Sequence, residues 1–141
     1  SKCSKPLICL HLISLFRSKI DNEITSFEQE ESPGKTFYRN VGKSQKEGIE
    51  MSLSSRIGNN ITLNLGYTYS KFEYANYVKN NKNLNGNRLP GIPQNTFNSD
   101  IYYINPNGYF IMVGLTRYGI IYLNDLNDHE IDPYIILNLR V

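Results

Sequence analysis

Hydrophobic and polar residues alternate one for one along several stretches of this chain. From residue 61 to residue 70, every odd-numbered residue is apolar or aromatic, and every even-numbered residue is polar or glycine. This period of two is that of a β-strand, because successive side chains point to opposite faces, and no helix would keep the two sets apart. Related patterns recur at 49–53, 97–103, 109–115 and 135–141. The pattern therefore predicts strands with one apolar and one polar face.

An apolar run from Pro6 to Phe16 lies near the start of the sequence and is followed by Arg17. Its length also fits the apolar part of a secretory signal peptide, but no small-residue cleavage motif follows it. The run is too short to cross a bilayer as a helix, which takes about 20 apolar residues. We favour a strand over residues 8–18, which brings the prediction to about six strands and no convincing helix.

Short and long connections separate the predicted strands. Residues 55–60 form a short one, and Asn105–Gly108 form another that ends in Asn-Gly, a strong hairpin signal. Polar connections run over 29–35, 72–94 and 119–132. The segment NNKNLNGNRLPG in the second of these is so polar that we expect no core to bury it.

Two-faced strands joined alternately by short turns and long loops are typical of a transmembrane β-barrel, in which the apolar face meets lipid and the polar face meets the lumen. The alternative is a soluble all-β ligand-binding module, a sandwich or small barrel whose apolar face points inward. Alternation alone does not choose between them. The polar face carries more hydroxyl and amide side chains than lysine and glutamate, which favours a lumen.

Composition argues against other classes of function. The 15 basic and 13 acidic residues are too balanced to indicate a nucleic-acid partner. Cys3, Cys9, His11 and His129 do not form a metal-binding motif, and we expect no cofactor. No Ser/His/Asp set, carboxylate pair or phosphate loop is recognisable, so we expect no enzyme.

Two segments carry a family resemblance. In PGKTFYRNVGKSQKEGIEMSL, residues 33–53, a Tyr-x-Asn-x-Gly segment leads into a Gly-Ile-Glu strand. In LNLGYTYSKFEY, a Gly-Tyr-Thr-Tyr strand precedes a long loop, which ends in GNRLPGIP before the next strand. In this order and spacing, over roughly residues 20–141, the chain resembles the β-barrel of TonB-dependent outer-membrane receptors, whereas residues 1–19 match poorly.

The resemblance implies an all-β antiparallel meander that is a partial segment of a large transmembrane β-barrel. Residues 1–141 would supply about six of roughly 22 strands, as an internal fragment without the plug domain, the TonB box or the C-terminal strands. It also implies the outer membrane of a Gram-negative bacterium, with its lipid as a partner. The receptor would take up a scarce ligand such as a ferric siderophore, with energy from the TonB complex acting through the plug and TonB box.

Three sets of side chains follow from this interpretation. Alternation directs one set to lipid: Leu63, Leu65, Ile101, Val113, Leu137 and Leu139. Charged and amide residues would be costly against lipid, and we place these in the lumen: Glu50, Asn64, Asp100, Asn138 and Arg140. The long loop carries candidate contacts for an anionic siderophore: Tyr74, Tyr77, Lys79, Lys82 and Arg88. Solvated charges and a mobile Asn-rich loop are the simpler explanations of the last two sets, and they stay open here.

Overall fold

The structure, a computed structural model, describes residues 8–22, 24–29, 32–40, 42–79 and 81–141, and Cys3 lies outside these ranges. Every regular element within them is a β-strand, and none of the described residues forms a helix that could cross a membrane. The strands in chain order are β1 (Ile8–Asp21), β2 (Ile24–Gln29), β3 (Ser32–Asn40), β4 (Lys43–Ile57), β5 (Ile61–Asn76), β6 (Val78–Lys79), β7 (Lys82–Asn83), β8 (Asn95–Ile104), β9 (Phe110–Tyr118), β10 (Ile121–Tyr122), β11 (Glu130–Ile131) and β12 (Tyr134–Arg140).

Six of these strands form one antiparallel sheet in the order β1-β4-β5-β8-β9-β12. Each strand pairs with its neighbours antiparallel, and β1 and β12 are the two edges, so the sheet is not closed within the described residues. The remaining strands form three small two-stranded ribbons in the connections. The predicted all-β antiparallel meander of about six strands is confirmed.

Both predicted hairpin turns are present, at one end of the sheet. Residues 58–60 join β4 to β5, and Gly58 adopts a φ of 65° that favours glycine. Residues 105–109 join β8 to β9, where Gly108 donates its N–H to the Asn105 carbonyl at 2.9 Å. The Asn105 side chain also accepts the N–H of Asn107 at 2.8 Å, an Asx turn. The three long connections, 22–42, 77–94 and 119–133, all lie at the opposite end.

The connection expected at 29–35 is partly strand, because Ser32–Lys35 belong to β3, which pairs with β2. Alternation does not reveal this ribbon, since its register is irregular. Glu28 pairs with Thr36 but Gln29 pairs with Ser32. Pro33 therefore lies in the irregularity, where the N–H that it lacks is not needed for pairing. Residues 30 and 31, between the two strands, lie outside the described residues.

From Ile8 onward, the apolar run near the start is a strand, as favoured. β1 pairs with β4 along its whole length, from Ile8 opposite Arg56 to Asp21 opposite Lys43. A signal peptide would have no reason for such continuous pairing.

Buried hydrophobic residues do not lie between layers of this sheet. In the described residues they are Tyr74, Tyr77, Leu84 and Leu89, at the end of β5 and in the connection that follows it. The expectation that no core would bury the segment NNKNLNGNRLPG is therefore wrong for its two leucines. In contrast, Leu137 and Leu139 on β12 are 71% and 72% exposed. No strand in the described part of the chain packs face to face on the sheet.

Candidate functional site

The register assigns each residue of the sheet to one of two faces, because paired residues project to the same side. Odd-numbered residues of the six strands share one side, which we call the apolar face, and even-numbered residues share the other, the polar face. All six residues predicted to meet lipid lie on the apolar face, in two rows: Leu63, Ile101, Val113 and Leu139 in one, and Leu65 and Leu137 in the next.

All five residues predicted for the lumen lie on the polar face, and the register brings three of them into one row. Asn64 on β5 pairs with Asp100 on β8, and Asp100 pairs with Gly114 on β9. Gly114 pairs with Asn138 on β12. Glu50 and Arg140 occupy other rows, opposite Thr68 and Met112 respectively.

Two residues that sequence reasoning missed complete this row. The Ser54 hydroxyl donates to Asn64 Oδ1 at 2.7 Å, which extends the row to β4. Gly114 leaves room for the Asp100 carboxylate, because a Cβ there would lie 2.7 Å from Asp100 Oδ1. Gly114 interrupts the side-chain alternation of β9, and this interruption is the only sequence signal of its role.

The polar face is less polar than expected on its two flanks. On β1, Leu12 is 62% exposed on this face, and Phe16, on the same face, packs edge-on against Phe72 with ring centroids 6.0 Å apart. On β9, Phe110 and Met112 also belong to it. This face is therefore most continuously polar along β4, β5 and β8, and Asn138 and Arg140 add polar side chains on β12.

A compact cluster lies at the end of the sheet that carries the long connections. The rings of Tyr74 and Tyr77 are 4.7 Å apart and pack with Leu84 and Leu89. Backbone hydrogen bonds fold the connection back onto β5: Gly86 donates to the Tyr74 carbonyl at 2.8 Å, and Leu89 donates to the Phe72 carbonyl at 2.9 Å. We call residues 77–94 the first outer loop.

The connection 119–133, the second outer loop, inserts the carboxylate of Asp125 into this cluster. Asp125 is 7% exposed. It accepts the Tyr74 hydroxyl at 2.7 Å, forms a longer 3.5 Å contact with the Tyr77 hydroxyl, and pairs with the Lys79 ammonium at 3.0 Å. A buried carboxylate is tolerated when it has this combination of hydrogen bonds and an opposite charge.

Side-chain amides join the two outer loops a second time. Asn127 Oδ1 accepts the backbone N–H of Arg88 at 2.6 Å, and Asn127 Nδ2 donates to the Arg88 carbonyl at 2.9 Å. Asn87 Nδ2 donates to the Asp125 carbonyl at 2.8 Å. The Asn127 side chain therefore bonds both the backbone N–H and the backbone carbonyl of Arg88, as the backbone of a neighbouring strand would.

Four of the five residues predicted to contact a ligand are used within this cluster or beside it. Tyr74 and Tyr77 are buried, and Lys79 pairs with Asp125. Arg88 donates to the Ser70 carbonyl at 2.7 Å and lies 3.6 Å from a Glu73 carboxylate oxygen. Lys82 is exposed. The five do not converge on a common open site, and their contact with a ligand stays a prediction.

Sequence reasoning missed Asp125 and Asn127 because NDLNDHE has the composition of a solvated loop. Within the same loop, the Asn124 amide and the His129 ring lie 2.6 and 2.7 Å from Asp128 Oδ1, and these hydrogen bonds hold the pKa of Asp128 below its usual value. No group of three or more metal-ligating side chains occurs in the part of the chain that the structure describes.

The chain is similar in sequence to known proteins. A model of the family described as TonB dependent receptor-like, beta-barrel, matches residues 11–141. The ferrioxamine B receptors of two Salmonella typhimurium strains, SL1344 and LT2, are each 27% identical to it over 110 residues. These alignments cover 74% of this chain and 15% of each relative, so the chain spans only a small part of the curated relatives' length.

Two solved structures share the fold. The siderophore receptor PiuA from Acinetobacter baumannii superposes with a TM-score of 0.68 at 22% identity, over 93% of this chain and 19% of that one. The ferric preacinetobactin receptor BauA from the same organism superposes with a TM-score of 0.66 at 17% identity, over 93% and 20%.

The family match corrects one boundary of the sequence analysis. Residues 11–19, expected to match poorly, lie within it and form part of β1, which pairs with β4. Strand order, alternating connections and the match over nearly the whole sequence agree with one another, and the chain belongs to the TonB-dependent receptor-like β-barrel family.

Proposed function

We propose that this chain forms one sector of the wall of an outer-membrane receptor for a scarce ligand such as a ferric siderophore. Its apolar face would meet lipid, its polar face the lumen, and its two outer loops the cell exterior. The observation that carries the proposal is a six-stranded sheet whose apolar face no described strand covers.

The height of the apolar face supports a membrane environment. On β4, odd-numbered residues are uncharged from Ile49 to Ile57. That is about nine residues, the length with which a tilted strand crosses a bilayer. Just beyond this band, on the side of the outer loops, the same face becomes charged. Glu47 lies 3.7 Å from Lys71 on β5 and 3.7 Å from Arg17 on β1. A charged rim is expected where the hydrocarbon ends and the headgroups begin.

The soluble all-β module is not favoured. It would need a second layer to cover Leu137, Leu139 and the rest of the apolar face. The only hydrophobic cluster of the described residues instead lies at the outer loops. Monomeric soluble proteins rarely expose contiguous apolar surface of this extent.

The proposal also includes a ligand and an energy source. Ferrioxamine B receptors among the relatives and siderophore receptors among the structural neighbours support a ferric siderophore as cargo. The family resemblance supports energy from the TonB complex through a plug and TonB box. The proposed function requires no catalytic step by this chain.

The test is iron uptake by a Gram-negative host with and without the gene. Under iron limitation, cells would be given radiolabelled ferric ferrioxamine B first, and then a panel of other ferric siderophores. We expect uptake of at least one siderophore to require both the gene and a functional tonB locus. Uptake of every siderophore unchanged by deletion of the gene would contradict the proposal, and uptake that needs the gene but not tonB would contradict its energy source.

A further inference from the structure

We propose that the contacts of Asp125 couple the two outer loops into one unit, so that neither loop opens without the other. The inference concerns residues 77–94 and 119–133, and it holds whatever ligand the receptor carries. It goes beyond the barrel architecture, which requires no contact between these loops.

The first argument is the chemistry of the buried carboxylate. Two phenol hydroxyls and one ammonium of β5 and the first outer loop converge on Asp125, which belongs to the second. If the second loop moved away, the hydroxyl of Tyr74, in a residue that is 2% exposed, would lose its acceptor inside an apolar cluster. Buried polar groups left without a partner are unfavourable, so the first loop resists departure of the second.

The second argument is that the first outer loop has little core of its own. Its buried side chains are Tyr77, Leu84 and Leu89, which pack with Tyr74 of β5. Several backbone hydrogen bonds hold it to itself and to β5, and in three of them a loop N–H donates: Leu84 to the Tyr77 carbonyl, Gly86 to the Tyr74 carbonyl and Leu89 to the Phe72 carbonyl. None of these three bonds involves the second loop, so their stability reports whether the loops are coupled.

The third argument is that Asp128, three positions after Asp125, provides a matched control. Asp128 has the same side chain and lies in the same loop, but its contacts, with Asn124 and His129, stay within that loop. Asp128→Asn therefore changes the charge of the second loop as Asp125→Asn does, without touching the first loop.

The experiment is amide hydrogen exchange on the complete encoded protein in detergent, read on peptides that contain Leu84, Gly86 and Leu89. Loss of hydrogen bonds to a charged group should speed exchange at these amides by roughly tenfold to a hundredfold in Asp125→Asn. Exchange in Asp128→Asn should equal that of the parent. Tyr74→Phe, which keeps the ring and removes only the hydroxyl, should change exchange in the second outer loop as well.

Each outcome decides the matter. Exchange at Leu84, Gly86 and Leu89 that is faster in Asp125→Asn but not in Asp128→Asn supports coupling of the loops through Asp125. Unchanged exchange there, or an equal increase in Asp128→Asn, overturns it. Should Asp125→Asn not yield a folded barrel, Tyr74→Phe decides alone. Exchange around Leu123 and Asn127 that rises in this variant supports coupling, and exchange that stays at the parent value overturns it.

Discussion

Replacing Leu65 with arginine should destabilise the membrane-inserted barrel far more than replacing its neighbour Asn64. Leu65 lies on the apolar face in the middle of β5, between Leu53 on β4 and Ser99 on β8. At the bilayer midplane an arginine on the lipid face costs about 2–4 kcal/mol. Because about 1.4 kcal/mol is a factor of ten, this lowers the folding equilibrium constant by roughly 30- to 1,000-fold.

The matched change, Asn64→Arg, uses the next residue of the same strand on the opposite face. It loses the 2.7 Å hydrogen bond from Ser54, a loss of about 0.5–1.5 kcal/mol. The introduced arginine would lie directly across from Asp100, and this pair of opposite charges contributes about 0.2–1 kcal/mol. These effects largely offset each other, so we expect a net change under about 1.5 kcal/mol.

The assay is denaturant unfolding of the complete encoded protein in lipid vesicles, followed by the electrophoretic shift between folded and heat-denatured barrel. The two variants lie at adjacent positions and add the same side chain, so the change in net charge is matched. Equal destabilisation by both variants, or a larger effect at Asn64, would refute the assignment of lipid and lumen faces.

Two further predictions concern glycine and the sheet edges. A Cβ at Gly48 would overlap the Tyr69 backbone carbonyl, whereas at Gly66 it would meet only the Asn98 side chain, with 3.4 Å to Nδ2 as the shortest distance. Gly48→Ala should therefore lower stability by about 1–3 kcal/mol in the same unfolding assay and Gly66→Ala much less, and equal effects would argue against the β4–β5 register. The 141-residue chain expressed alone has two unpaired sheet edges, and we expect it to aggregate or be degraded. A monodisperse, cooperatively melting monomer without detergent would support the soluble module instead.

Alternation predicted the strands of the sheet because each of the clearest strands contains a stretch in which apolar and polar residues alternate one for one. In β5 every odd residue from Ile61 to Tyr69 is apolar, and the structure puts all of them on one face. The Asn-Gly pair at 107–108 likewise located the turn between β8 and β9. The β2–β3 ribbon was missed, since Pro33 and an irregular register break the pattern there.

Face assignment was predictable for the lumen candidates because it needs only the parity of a residue in its strand. The row that joins Asn64, Asp100 and Asn138 was not, because it depends on how β5, β8, β9 and β12 align. Local composition does not encode such register between distant segments.

The outer loops were predicted least well, for the same reason. Tyr74 and Lys79 are residue types that are common in ligand-binding loops. In the structure both instead bond to the carboxylate of Asp125, which lies 51 and 46 residues further along the chain. Leu84 stands alone among polar residues, and its burial depends on tyrosines that β5 supplies. Nothing near Asp125 in the sequence distinguishes it from Asp128.

The most direct test of the membrane-spanning account is cysteine accessibility from the two ends of the sheet. In a background with Cys3 and Cys9 changed to serine, Lys82→Cys in the first outer loop and Asn107→Cys in the turn between β8 and β9 would be treated in intact cells with a membrane-impermeant maleimide. Both side chains are exposed, so topology alone should separate them. The account predicts labelling of Lys82→Cys in intact cells and of Asn107→Cys only after the outer membrane is permeabilised. Equal labelling of the two in intact cells, or labelling of neither until permeabilisation, would contradict it.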